Sequence, residues 1–222
     1  MASERDFIKL ASEITECRKC TRLVKWREKI AKEKRAAYAN EIYWGKPIAG
    51  FGDNRAKILV LGLAPGAHGA NRTGRIFTGD RSGDWLFRAM HKAGLASQPE
   101  SVSRQDGLKL TNAWVSTAVK CAPPDNKPTP AERVKCSAFL SRELAMLDQV
   151  KVIVCLGSFS LTSICDELKI RPRPKFGHGV IFSHEKYEIV CSYHPSQQNT
   201  FTGKLTEKMF DSVFAKAVKL AR

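Results

Sequence analysis

The chain has 222 residues, 43% of them apolar, enough to bury the core of one soluble domain. Thirty-seven Lys and Arg face 22 Asp and Glu, a formal charge of +15 that favours a polyanionic partner through counterion release. No stretch is long and apolar enough to cross a bilayer, residues 1–22 lack the apolar block of an export signal, and seven cysteines is an odd number, so a disulfide scaffold and a membrane partner are both disfavoured.

Taken in chain order, the N-terminal part, residues 1–50, reads as a charged helical segment. Apolar residues recur at helical spacing between Asp6 and Ile14. The stretch from Lys25 to Arg35 is strongly basic, with Trp26 and Ile30 on one face, and Gly50-Phe-Gly52 reads as a loop. Strand and helix signals then alternate. A strand over 58–61 is followed by a helix over 82–92, closed by Gly94, and a strand over 111–119. Thr129-Pro-Ala-Glu132 has the form of a capping box with proline at N1, opening a helix to about residue 148. Val152 to Leu156 is a third strand, ended by Gly157, with a helix over 159–168 behind it. Tyr187 to Ser192 is the last strand and residues 205–220 the last helix. The alternation predicts an α/β fold with helices on both faces of a mainly parallel sheet, in one domain spanning 1–222, without repeats or a linker.

In such sheets ligands bind beyond the carboxyl ends of the strands. Two unusual segments leave strands there: Gly62-Leu-Ala-Pro-Gly66, running on to Phe77-Thr-Gly-Asp80, and His194-Pro-Ser-Gln-Gln-Asn199. The first has small, turn-prone residues whose backbone can approach a ligand, although it has neither the Lys-Ser/Thr of a phosphate loop nor GxGxxG. Phe77 offers a stacking face or a core side chain; Asp80 a carboxylate for water or a helix N-cap. His194 is able to donate to an oxygen that gains charge, or to serve as an ordinary surface or core-satisfied histidine. Asn126 sits among prolines that stiffen its loop. Cys17 and Cys20 form a CxxC pair; with Cys121 and Cys136 they make four thiolates for zinc or an iron–sulfur cluster, whereas Cys155, Cys165 and Cys191 sit in apolar contexts.

Together these motifs, with Val119-Lys-Cys121 running into the proline-rich loop and with Thr202-Gly-Lys-Leu205 after the HPS segment, resemble family 5 (UDGb-type) uracil-DNA glycosylases over nearly the whole chain. The resemblance implies an α/β/α sandwich around a four-stranded parallel sheet. It implies a structural [4Fe-4S] cluster on Cys17, Cys20, Cys121 and Cys136, with zinc the alternative. Asp80, His194 and Asn126 would be catalytic. Gly62, Leu63, Ala64, Pro65, Gly66 and Phe77 would bind the base, and Ser196, Gln198 and Asn199 the vacated duplex. The activity implied is hydrolytic base removal, without lyase action, from mispaired or damaged duplex and single strands, by a monomer in the cytoplasm at the nucleoid. Leu63 and Thr117 stand where stricter uracil readers carry polar side chains, which widens the expected substrates to hypoxanthine and xanthine; Gln198 replaces an apolar wedge. The competing reading is a non-catalytic iron–sulfur or zinc module that binds nucleic acid.

Overall fold

The computed structural model describes residues 2–222; Met1 lies outside them. Six strands form one sheet: β1 (Phe51–Gly52), β2 (Ile58–Gly62), β3 (Ala113–Thr117), β4 (Val152–Leu156), β5 (Ile181–His184) and β6 (Tyr187–Ser192). Their order is β1-β3-β2-β4-β6-β5. The inner four strands are parallel, and both edge strands run antiparallel. The expectation of a four-stranded parallel sheet is therefore corrected to a six-stranded mixed one. β1 is the Gly50–Gly52 stretch expected to be loop. Its two residues pair with Val115 and Trp114.

Among the described residues eight α-helices surround the sheet: α1 (Glu4–Thr15), α2 (Thr21–Glu33), α3 (Ala70–Thr73), α4 (Arg81–Lys92), α5 (Pro130–Met146), α6 (Ser158–Glu167), α7 (Gln197–Phe201) and α8 (Glu207–Leu220). The buried strands alternate faces with period two. Ile58, Val60, Val152 and Val154 meet Leu86, Phe87 and Met90 of α4 and Phe210 and Phe214 of α8. Leu59, Leu61, Ile153 and Cys155 meet Leu140 and Leu144 of α5 and Leu161 and Ile164 of α6. These are the two outer layers of a sandwich. The capping box at Thr129 forms as expected, Thr129 Oγ1 accepting from Glu132 N at 3.2 Å while Glu132 accepts from Thr129 N. Such a cap contributes about 1 kcal/mol.

A third apolar cluster joins the N-terminal helices to the rest. Leu10 and Ile14 of α1 and Leu23 of α2 pack against Val119, Cys121, Cys136 and Phe139. The inward face of α2 is Leu23, Val24 and Arg27; Trp26 and Ile30 are only half buried. No helix among the described residues is long and apolar enough to cross a membrane. The chain passes from β2 to β3 on one side and then to β4 on the other, so strand order reverses beside β2, where a parallel sheet opens a crevice.

Candidate active site

That crevice is where the two unusual segments meet. Beyond β2, Ala118 N donates to Gly62 O and Val119 N to Leu63 O, both at 3.0 Å, so the chain leaves the sheet in fixed register. Asn71 N then donates to Gly66 O at 2.9 Å and closes the turn ahead of α3. The returning stretch is locked by a buried guanidinium. Arg75 donates to Thr78 Oγ1 at 3.0 Å, to Ser101 Oγ at 2.6 Å and to Asp106, whose pKa is strongly lowered, burial being outweighed by this bond and by three backbone amides.

This lock holds Phe77 at φ 53°, a left-handed conformation rare for a bulky side chain and typical of functional sites. The ring lies on the strand exit itself: a Cβ on Gly62 would stand 2.6 Å from its Cζ, so position 62 admits only glycine without displacing the ring. From β6, two strands away at the same carboxyl edge, comes His194, its carbonyl held by Asn199 Nδ2 at 2.8 Å. Its imidazole stacks on Phe77, centroids 5.9 Å apart and planes 29° apart. Burial lowers its pKa to about 4, so the ring is neutral at neutral pH and keeps one N–H to donate.

Asp80 is the helix N-cap that the sequence offered as one of its two roles. Oδ1 caps α4 by accepting from Gly83 N at 3.1 Å. Oδ2 faces the turn after β2, where a Cβ on Gly66 would come within 2.8 Å and one on Gly69 would clash outright. Burial raises the Asp80 pKa, and the amides of Gly83 and Ser82 and the charge of Arg72 oppose the rise. Phe77 and His194 thus meet over the strand exit, and Asp80 faces the turn that leads on from it. Asn126 lies on an exposed turn, Pro124–Asn126, at φ 55°, and no hydrogen bond or ring contact among the described residues joins it to those three.

An open cleft of about 410 Å³ continues from His194, lined by Leu63, Phe159, Phe176, Tyr193, Asn199 and Lys204 among others. Here lie residues the sequence did not single out. The Tyr193 ring has His178 at 5.2 Å, Phe176 at 6.1 Å and the Lys204 ammonium 4.9 Å from its centroid. Ser196 Oγ caps α7 through Asn199 N, leaving Gln197 and Gln198 exposed at its start. Phe201, at its end, is 67% exposed with the Arg81 guanidinium 4.4 Å from its ring.

The four cysteines of the expected set line a second, small cavity of about 20 Å³, with Leu23, Val24, Val119 and Phe139. Burial pushes the Cys121 thiol up to about 12 and that of Cys136 to about 11. Two donors point at them: Arg27 Nη1 to Cys121 Sγ and Lys120 N to Cys136 Sγ, each at 3.3 Å. Cys155, Cys165 and Cys191 are buried in the sheet–helix core, as small apolar residues are.

Residues 49–218 match the family described as the uracil DNA glycosylase superfamily. The chain belongs to that superfamily. Within it the type-5 family is the one shared: a protein of Mycobacterium bovis named type-5 uracil-DNA glycosylase is 49% identical over 94% of this chain and 79% of its own length. One of Thermus thermophilus with the same name is 47% identical over 94% and 95%. A type-4 uracil-DNA glycosylase of Thermotoga maritima is 28% identical over 67% and 69%.

Proposed function

We propose that the protein removes uracil from DNA by hydrolysing the N-glycosyl bond, and that it acts on hypoxanthine and xanthine as well. The observation that carries this reading is the stacked Phe77–His194 pair on the Gly62 strand exit, with Asp80 Oδ2 facing the turn that follows. A base inside a duplex has to be everted first, at a cost of a few kcal/mol that is least for a mispair. Phe77 receives the everted base by stacking. Cleavage leaves positive charge on the sugar and negative charge on the base. Neutral His194 donates to the base oxygen; ionised Asp80 stabilises the sugar cation and takes a proton from the attacking water, whose oxygen bonds to C1′ while the base departs and is protonated. Asn126 joins this site when DNA orders its turn. Leu63 and Thr117 offer the base edge little polar discrimination, which favours the wider range of deaminated bases.

Cys17, Cys20, Cys121 and Cys136 would hold a [4Fe-4S] cluster, which supplies structural cross-linking between the N-terminal helices and the β3 exit. Two features of the donor set favour this. The four thiols share one cavity, enough ligands for the four irons of such a cluster. A cluster gives each thiolate its own iron, whereas zinc draws all four sulfurs to about 2.3 Å from one point. The second is the buried guanidinium beside Cys121, a counter-charge for an anionic group. DNA, as mispaired duplex or single strand, is the partner, bound by a monomer at the nucleoid.

The test is incubation with oligonucleotides bearing one uracil, hypoxanthine or xanthine, followed by alkali. Strand scission only after alkali is the expected result. Scission without alkali overturns the monofunctional reading, cleavage confined to uracil overturns the wider range, and intact strands throughout leave the protein a binding module.

A further inference from the structure

The exposed face of α2 is basic, but its inward face buries Arg27, which is 2% exposed. A buried cation needs partners. Nε donates to Gly45 O at 3.2 Å and Nη1 to Cys121 Sγ at 3.3 Å. The nearest carboxylate, Glu28, stands 3.6 Å from Nη2, is itself 44% exposed, and is engaged by Arg18. On its backbone side, Arg27 O accepts from Asn71 Nδ2 at 3.2 Å. Gly45 N donates to Asn71 O at 3.0 Å. Arg27, Gly45 and Asn71 therefore form a closed hydrogen-bonded circuit between α2, the segment before β1 and α3.

The circuit has two outlets. One is Cys121, at the cysteine centre. The other is Asn71 N, which donates to Gly66 O and so fixes the turn that Asp80 Oδ2 faces. Asn71 is fully buried, and among the described residues its Oδ1 has no partner, so its side-chain amide is held from the Arg27 side. Lysine has no equivalent of this fork, whose Nε and Nη1 reach two acceptors from a rigid plane.

We propose that Arg27 is a positioning residue that couples the cysteine centre to the catalytic turn, so that filling the centre sets the place of Asp80. The proposal rests on the cluster and glycosylase readings above. Metal-bound cysteines are thiolates, and a charge-assisted bond from Arg27 to Cys121 is stronger than one to a thiol. Emptying the centre removes that anchor, and the Asn71–Gly66 turn loosens.

The experiment uses the iron-loaded protein, its Arg27→Met, Arg27→Lys and Asn71→Ala variants, and the wild type after iron chelation. Iron and sulfide content, amide hydrogen exchange over residues 66–80, DNA affinity and single-turnover base release are measured for each. Asn71 touches no cysteine, so Asn71→Ala keeps its iron, exchanges faster over 66–80 and loses about 10- to 100-fold in rate, with DNA affinity unchanged. Chelation of the wild type raises exchange in the same segment; chelation of Arg27→Met adds nothing further there, and Arg27→Lys falls between. Should Arg27→Met not fold, Asn71→Ala and chelation of the wild type decide. Exchange over 66–80 that ignores chelation, or that rises equally in wild type and Arg27→Met, overturns the coupling, as does a purified protein with no metal. Absence of base release with the exchange pattern intact overturns only the glycosylase reading.

Discussion

Phe77 and His194 come from loops more than a hundred residues apart in the sequence, yet their rings stack at 5.9 Å over Gly62. Three features of the fold bring this about: the reversal of strand order beside β2, the Arg75 lock that turns Phe77 back, and the glycine that leaves its ring room. If the pair is the base platform, its two members separate experimentally. His194→Ala is expected to lower single-turnover base release by about 10²–10³-fold, the usual loss for one donor to a developing anion. DNA affinity should hardly change, because the donor acts chiefly on the transition state. Gly62→Ala displaces the Phe77 ring and should lower both rate and affinity for the everted base. A His194→Ala enzyme with wild-type rate leaves the imidazole without a chemical role.

The pH dependence follows from two opposite shifts. Burial raises the Asp80 pKa, so loss of its charge draws an acid limb in the rate profile at higher pH than a free carboxyl would. His194 is lowered to about 4, so it is neutral at neutral pH. Asp80→Asn should remove that limb together with most of the rate, and because asparagine is also a good N-cap, the melting temperature should stay near wild type. His194 has a separate effect on stability. Its folded pKa lies below the unfolded value, so its contribution is full above pH 6.5 and is lost as pH falls toward 4, amounting to about 3 kcal/mol. Denaturant titrations of wild type and His194→Ala between pH 7 and pH 4 measure that difference.

The parts of this arrangement legible in the sequence are those with strong local signatures. β2 and β4 are continuous apolar runs, β6 has Ile189-Val-Cys191 at its centre, and α5 announces itself by its capping box. The edge strands have no such signal. β1 is two residues long, and β5 alternates exposed with half-buried side chains and turns into β6 through Glu185 in a left-handed conformation that glycine or asparagine would have advertised. The same contrast holds at the site. Asp80 and His194 stand in loops at strand exits, so their types and places were readable. Arg27 lies in a basic run that reads as a solvated face. Its burial depends on Gly45, Asn71 and Cys121, three residues from three other segments.

Tyr193, Phe176 and Lys204 went unread for that reason too, and they give a prediction about the DNA path. Their cleft adjoins His194 and presents aromatic faces beneath an ammonium, the combination that holds unpaired nucleotides by stacking and by phosphate contact. Tyr193→Leu should weaken single-stranded DNA binding by about 1–3 kcal/mol. Lys204→Met should reduce the slope of log affinity against log salt by about 0.7–0.9, one phosphate contact. Fluorescence anisotropy across a salt series reads both, and an unchanged slope places Lys204 off the DNA.

The buried pair Lys120–Glu143 lies behind the cysteine centre, both side chains 1% exposed. Ser116 Oγ accepts from Lys120 Nζ at 2.6 Å and donates to Glu143 Oε2 at 2.7 Å, and Gly50 N donates to Glu143 Oε1 at 3.2 Å. This knot ties β3, α5 and the segment entering β1 to the residue next to Cys121. Removing one charge strands the other in the core, so Glu143→Gln should cost about 3–5 kcal/mol of stability. Replacing both, as Lys120→Met with Glu143→Leu, should recover most of it, because desolvation of the two ions no longer opposes folding. Urea unfolding of the single and double variants decides the matter. If the double variant is no more stable than Glu143→Gln, the pair contributes through its hydrogen bonds to Ser116 and Gly50 and not through mutual charge.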